Sequence, residues 1–174
     1  MSNMKKYLIT AITLGTIAMC GGLLIGATNL ITKERIAQNE KNKINNGIKD
    51  IFGNSASVNK EETIDSDFQY VTKRYLVNEN DLLTGYAFQT TGSNMYGKIS
   101  LIIGFTADEC IFKGLSIIVN EQTYAATLVE NYINPLNANE RDYEDVSCGA
   151  TYGASLVRDM IDEASKVANI MKGV

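Results

Sequence analysis

Hydrophobic and polar positions follow three different rhythms along this chain. Residues 7–32 contain no charged side chain, with Lys6 closing the run on one side and Lys33 on the other. These 26 residues rise about 39 Å as a helix. The hydrocarbon core of a bilayer is ~30 Å thick, so the run predicts a membrane-crossing helix with some tilt. From 34 to 52 the apolar residues Ile44, Ile48, Ile51 and Phe52 fall on one helical face, which predicts a helix continuous with the anchor. Gly53-Asn54-Ser55 ends it, and 55–66 reads as a polar linker.

Strand character follows. Residues 68–77 hold Tyr70, Val71, Tyr75 and Val77, and a short run at 85–88 is bounded by Gly92-Ser93-Asn94. The runs 98–106 and 111–119 are joined in hairpin fashion through Ala107-Asp108-Glu109. Residues 122–133 read as a helix with Ala125, Leu128, Val129 and Tyr132 on one side. In the last stretch Leu156, Val157, Met160, Ile161, Ala164, Val167, Ala168 and Met171 recur at helical spacing, with Arg158, Asp159, Asp162 and Lys166 opposite. The predicted fold is α+β: a transmembrane helix at 1–32, a juxtamembrane helix and linker at 33–66, and a small domain of antiparallel sheet plus helices at 67–174.

Composition narrows the chemistry. The chain has 174 residues, a net charge of −4 and no histidine. Imidazole is thus excluded as metal ligand, as general base and as a member of a Ser/His or Cys/His dyad. Cys20, Cys110 and Cys148 stand far apart, so zinc and iron–sulfur spacings fail and no metal is expected. All 20 acidic residues lie after the apolar run, and no basic stripe is present, which argues against a nucleic-acid partner.

The apolar run has rival readings. A cleavable signal peptide has a shorter core and a small-x-small site. Ile17-Ala18-Met19-Cys20 has the outline of a lipoprotein cleavage site, but Met19 suits that cut poorly and Gly21-Gly22-Leu23-Leu24-Ile25 prolongs the apolar run beyond it. An uncleaved single-pass anchor is the expectation, with Gly22 and Gly26 in a GxxxG spacing that admits a close helix. Lys5 and Lys6 nearly balance Lys33 and Arg35 across it. A short tail that stays inside places the N-terminus in the cytoplasm and the domain outside it, at the cell membrane.

Candidate chemistry concentrates in Asp145-Val146-Ser147-Cys148-Gly149-Ala150-Thr151-Tyr152-Gly153-Ala154-Ser155, just before the last helix. A helix start offers free backbone N–H groups and a positive dipole end to a phosphate. The plainer reading is an ordinary N-terminus with Thr151 or Ser155 as its cap. A thiol near a helix start, Cys148, is a candidate nucleophile, although it has neither a base nor a resolving partner. Cys110 reads as buried and inert, and Cys20 as a small apolar residue in the bilayer.

Asp-x-x-x-Gly-Ala-Thr at 145–151 resembles the attachment motif of the covalent-flavin proteins, an FMN-binding domain family. In that family a dedicated flavin transferase joins FMN through its phosphate to the threonine hydroxyl. It includes the G subunit of the Rnf electron-transport complex and the C subunit of the sodium-pumping NADH:quinone reductase. The resemblance implies Thr151 as the ester site, with Ser147, Cys148, Gly149 and Ala150 beside the cofactor. It also implies Asp145, Gly149, Ala150 and Thr151 as the transferase's recognition elements. Cys148 stands where the family usually has Ser or Thr.

Tyr96-Gly97-Lys98-Ile99 resembles the family's glycine turn before a strand. Asn120-Glu121-Gln122-Thr123 resembles its Glu-Thr-Pro-Gly segment, without the proline and following glycine, and brings Tyr96, Glu121 and Thr123 toward the flavin. Thr32-Lys33-Glu34-Arg35-Ile36 after the anchor is most similar to the Rnf G subunit.

The resemblance therefore implies an electron-transfer subunit carrying covalent FMN, within a membrane-bound, ion-translocating ferredoxin:NAD oxidoreductase. Its partners are the other membrane subunits and, during maturation, the flavin transferase. The chain alone has no iron–sulfur or nucleotide motif with which to run the overall reaction. The alternatives within the family are the C subunit of the quinone reductase and a free-standing extracytoplasmic flavoprotein. Outside it, a membrane-anchored binding or scaffold module without flavin stays open.

Overall fold

The computed structural model describes residues 3–64 and 67–171. Met1 and Val174, the outer ends of the expected anchor and domain, and the expected linker boundary at Ser66 lie outside the described residues. The chain falls into two compact units, Met1–Lys41 and Asn42–Val174.

The first unit is helical, the opening part of α1 (Asn3–Phe52). One helix among the described residues, Lys5–Phe52, is long and apolar enough to cross a membrane. Its threonines suit lipid: the hydroxyls of Thr10, Thr13, Thr16 and Thr28 donate to the carbonyls of Lys6, Ile9, Ile12 and Leu24 at 2.8–3.0 Å. A hydroxyl satisfied within its own helix leaves no donor stranded in hydrocarbon. Cys20 is exposed on this helix, and nothing lies within 4 Å of a Cβ built on Gly22 or Gly26.

The second unit is a five-stranded antiparallel meander between two helical layers. β1 (Ser57–Thr63), β2 (Val71–Glu79), β3 (Leu82–Asn94), β4 (Gly97–Thr106) and β5 (Phe112–Asn120) pair in chain order. The stretch expected to be a linker thus carries a strand. β1 (Ser-Val-Asn-Lys-Glu-Glu-Thr) is a mostly exposed edge strand with three charged residues, the composition that keeps an edge from pairing with strangers. The short run at 85–88 is the middle of a 13-residue strand. Asn80 and Asp81 both take positive φ, 50° and 65°, as a two-residue hairpin turn requires, so pairing with β2 starts at Leu82.

α2 (Ala125–Leu128) runs through a π turn (Val129–Ile133) into α3 (Asn134–Asn137), and α4 (Thr151–Met171) closes the fold. On one sheet face Phe88, Ile99, Leu101, Ile103 and Phe105 pack against Leu156, Val157, Met160, Ile161 and Ala164 of α4 and against Leu128 and Tyr132. On the other face Tyr75, Val77, Ala87, Ile102 and Ile118 take Ile44, Ile48 and Phe52 from the last turns of α1. The Phe52 ring sits so close to the sheet that a Cβ on Gly85 or Gly104 would come within 2.4 and 2.9 Å of it. Glycine at both positions is what lets the helix lie down.

Candidate functional site

Thr151 is the first residue of α4, and the Ala154 N–H donates to the Ala150 carbonyl at 3.0 Å. Ala150 is therefore the capping position, and neither Thr151 nor Ser155 fills it, contrary to the plainer reading. The side chain of Thr151 is exposed and makes no hydrogen bond among the described residues. The first N–H groups of the helix stand beside it without intrahelical partners. Gly149, with φ +81°, turns the chain into the helix.

The other wall of the site is built by the β3–β4 hairpin. Asn94 pairs with Gly97, leaving Met95 and Tyr96 at the tip. Gly97 has φ +134°, and a Cβ there would stand 2.1 Å from the Glu121 carbonyl oxygen. That close approach lets 120–123 dock on the turn. The Glu121 N–H donates to Lys98 O at 2.8 Å, and Thr123 donates to Tyr96 O from both its N–H (2.8 Å) and its hydroxyl (3.1 Å). Buried Gln122 donates from Nε2 to Gly97 O.

Between the walls lies a cavity of about 260 Å3 lined by Tyr96, Gln122, Tyr124, Leu128, Gly149, Ala150, Thr151, Tyr152 and Gly153. The Tyr96 ring is 5.4 Å from Tyr152 and 6.0 Å from Tyr124, centroid to centroid. Tyr152 and Tyr124 are 64% and 54% exposed, an uncommon display of aromatic surface on one rim. Gly153 faces the space between Leu128 and Gln122.

The structure thus brings Tyr96, Gly149, Ala150 and Thr151 to one cavity. Glu121 and Thr123 shape the turn beneath Tyr96 and are not lining residues, and neither are Ser147 and Cys148. Cys148 is buried in the main core, so its thiol is not presented as a nucleophile; Cys110 is buried and Sγ lies 3.7 Å from Ala168 O. Gln122, Tyr124, Leu128, Tyr152 and Gly153 complete the lining; Gln122, Tyr152 and Gly153 fall within the segments 120–123 and 145–155 without being named as site residues there, and Tyr124 and Leu128 fall in neither. Tyr152 is legible as the next residue after Gly-Ala-Thr; Gln122 and Tyr124 become lining only because Gly97 docks their segment.

Asp145 belongs to the loop ahead of α4. Its Oδ1 accepts the Ser147 N–H at 3.1 Å and its Oδ2 accepts Arg141 Nη2 at 2.8 Å. Those two partners, the backbone N–H first, hold its carboxyl below the ordinary carboxylate value. The acidic run 140–145 is organised around its one arginine. Among the described residues no cluster of Cys, Asp or Glu could hold a metal.

The residues present fit a flavin nucleotide. Three clustered tyrosines, their rings tilted against one another, suit a flat aromatic ring, Gly153 leaves its wall free of a methyl, and a helix N-terminus with a free hydroxyl suits a phosphate. A cavity of this size takes a ring system rather than a whole nucleotide.

Comparison with known proteins bears on the other end of the chain. Residues 1–51 match the family model described as the RnfG N-terminal region. No curated protein matches the chain. The resemblance to the G subunit of the Rnf complex is accordingly shown for this chain, over its N-terminal region.

Proposed function

We propose that this protein is the flavin-carrying subunit of an Rnf-type complex, with FMN esterified to Thr151 and its ring against Tyr96, Tyr124 and Tyr152. The observation that carries the reading is a free, exposed threonine hydroxyl on the rim of a tyrosine-lined cavity, at a helix start. The match of residues 1–51 to the RnfG N-terminal region supports the same assignment from the anchor.

The modification draws on what the chain offers. A threonine ester formed from a free monophosphate would have to expel water, so the donor is a flavin dinucleotide with a phosphoanhydride. The Thr151 oxygen attacks the flavin-side phosphorus, the P–O–P bond breaks, and AMP leaves with the bonding pair. The hydroxyl proton passes to a base of the transferase, since this chain has no histidine to take it. N–H groups at the start of α4 stabilise the phosphodiester charge.

Bound FMN supplies one- and two-electron redox chemistry between ferredoxin-side and NAD-side carriers. The protein's part is to hold it. The covalent link prevents loss outside the cytoplasm, the tyrosine rim orients the ring, and Leu128 and Ala150 keep water from one side of the cavity.

Thr151→Ala tests the reading. The variant, co-expressed with a flavin transferase, is expected to carry no added FMN mass by intact mass spectrometry, while Thr151→Ser keeps it. Full loading of Thr151→Ala would move the acceptor elsewhere, Ser155 being the next hydroxyl on the same helix.

A further inference from the structure

We infer that Arg141 is a positioning residue for the modification of Thr151, fixing the loop that presents the acceptor. The inference rests on the proposed acceptor role of Thr151. Its basis is the number and the direction of the bonds that one guanidinium makes.

Arg141 Nε donates to the Asp145 carbonyl at 2.9 Å, and Nη2 donates to Ser147 O at 2.7 Å and to Asp145 Oδ2 at 2.8 Å. Nη1 donates to the carbonyl of Asn131 in the π turn. The guanidinium carbon lies 5.8 Å from the centroid of the Tyr132 ring, and the side chain is only 17% exposed. A planar fork of five donors can hold three carbonyls and a carboxylate at once; an ammonium cannot match that geometry.

The π turn grips the same loop from its other side. Asn131 Nδ2 donates to Cys148 O at 3.1 Å, and the Tyr132 hydroxyl donates to Tyr143 O. Residues 143, 145, 147 and 148 are thereby fixed, although the loop has little backbone bonding of its own. Only Gly149 and Ala150 separate the last fixed point from Thr151. The +81° turn at Gly149, and with it the direction in which the Thr151 hydroxyl is offered, follows from where Ser147 and Cys148 are held, the first by Arg141 and the second by Asn131.

Without the guanidinium three carbonyls lose their donor, and the loop spreads over other conformations. The competent form then becomes a fraction of the whole, and the apparent affinity of the transferase for the chain falls by that fraction. Turnover from the bound complex is unchanged, because Arg141 does not touch the reacting atoms. Global unfolding would lower the competent fraction in the same way, so the unfolding midpoint of each variant is measured beside its kinetics, and an unchanged midpoint assigns the split to the loop.

The test uses the full chain in detergent, without flavin, a purified flavin transferase and FAD. The initial rate of flavin incorporation is measured against chain concentration, with Thr151→Ala as the blank. For Arg141→Ala the expected result is a KM raised at least about tenfold with kcat within about twofold of the parent. Arg141→Lys is expected to lie between the two, and it carries the test if the alanine variant does not fold. A lowered kcat at unchanged KM, or parental kinetics in both variants, overturns the clamp while leaving Thr151 as acceptor. A parent chain that takes up no flavin overturns the acceptor reading, and the clamp with it.

Discussion

Gly153→Ala separates what α4 needs from what the cavity needs. Gly153 is the third residue of α4, and replacing a helical glycine by alanine favours the helix by at most about 1 kcal/mol. The new Cβ would lie 3.1 Å from Leu128 Cδ2 and 3.5 Å from Gln122 Oε1. The first contact requires the leucine methyl to yield by a few tenths of an ångström, and Leu128 borders open cavity into which it can turn. An overpacked methyl in a closed core costs about 1–3 kcal/mol; beside a cavity the cost sits at the low end and nearly cancels the helix gain. The net change in stability is expected within about 1 kcal/mol, a Tm shift of no more than about 5 °C. The methyl nevertheless occupies space proposed for the flavin ring. Thr151 is exposed and unaffected, so the variant should load FMN to the full mass while its ring sits away from the tyrosines. Flavin fluorescence, quenched by close aromatic contact, should rise relative to the parent at equal loading. Equal emission and an unchanged visible band would refute the placement of the ring in this cavity. A Tm fall beyond about 10 °C would refute the packing arithmetic.

Two other expectations bear on the loop. Because Asp145 titrates below its ordinary value of 3.8 in the folded chain, its clamp is complete above that value and is lost as pH falls through the lowered folded value; a carboxyl carbon titration by NMR with its midpoint at or above 3.8 would contradict this. Cys148→Ser, which restores the residue commoner in the attachment motif, buries a hydroxyl where the thiol has no hydrogen-bond partner among the described residues. A loss of about 1–3 kcal/mol in denaturant unfolding is expected, and Cys148→Ala should lose less.

Whatever repeats with a regular period is legible in this sequence. The apolar run at 7–32 lies along one continuous helix, while the face Ile44–Ile48–Phe52, the two strands β4 and β5 and the stripe along α4 show one-sided or continuous burial, and each stands where its pattern predicts. β1 reads as linker because an edge strand protects itself with charge, which erases the alternation that marks a strand. β3 reads too short because Gly85 and Gly92 resemble turn residues, whereas Gly85 is there to admit the Phe52 ring and Gly92 faces Leu156 and Met160. The turn that does precede β3, Asn80-Asp81, lacks the glycine that usually advertises it. At the site, Gly-Ala-Thr stands out as a motif, and Tyr96 by its glycine turn. Arg141 and Tyr124 cannot be found that way: Arg141 bonds Asp145 and Ser147 in its own irregular loop and the Asn131 carbonyl ten residues back, and Tyr124 meets Tyr96 on another element, so no periodic pattern records either.

Ile44, Ile48 and Phe52 lie on the same continuous helix as the apolar run, yet their side chains are core residues of the sheet. Removing the helix at its visible end, Phe52, would strip Tyr75, Val77, Ala87, Ile102 and Ile118 of their cover and leave an apolar sheet face in water. A start at residue 67 would remove β1 as well. The stretch between Thr32 and Asn42 is mostly polar and exposed, and none of its residues belongs to the buried sheet face. It is where nature or an engineer can graft a longer anchor, a different anchor or none, and inherit the domain unchanged.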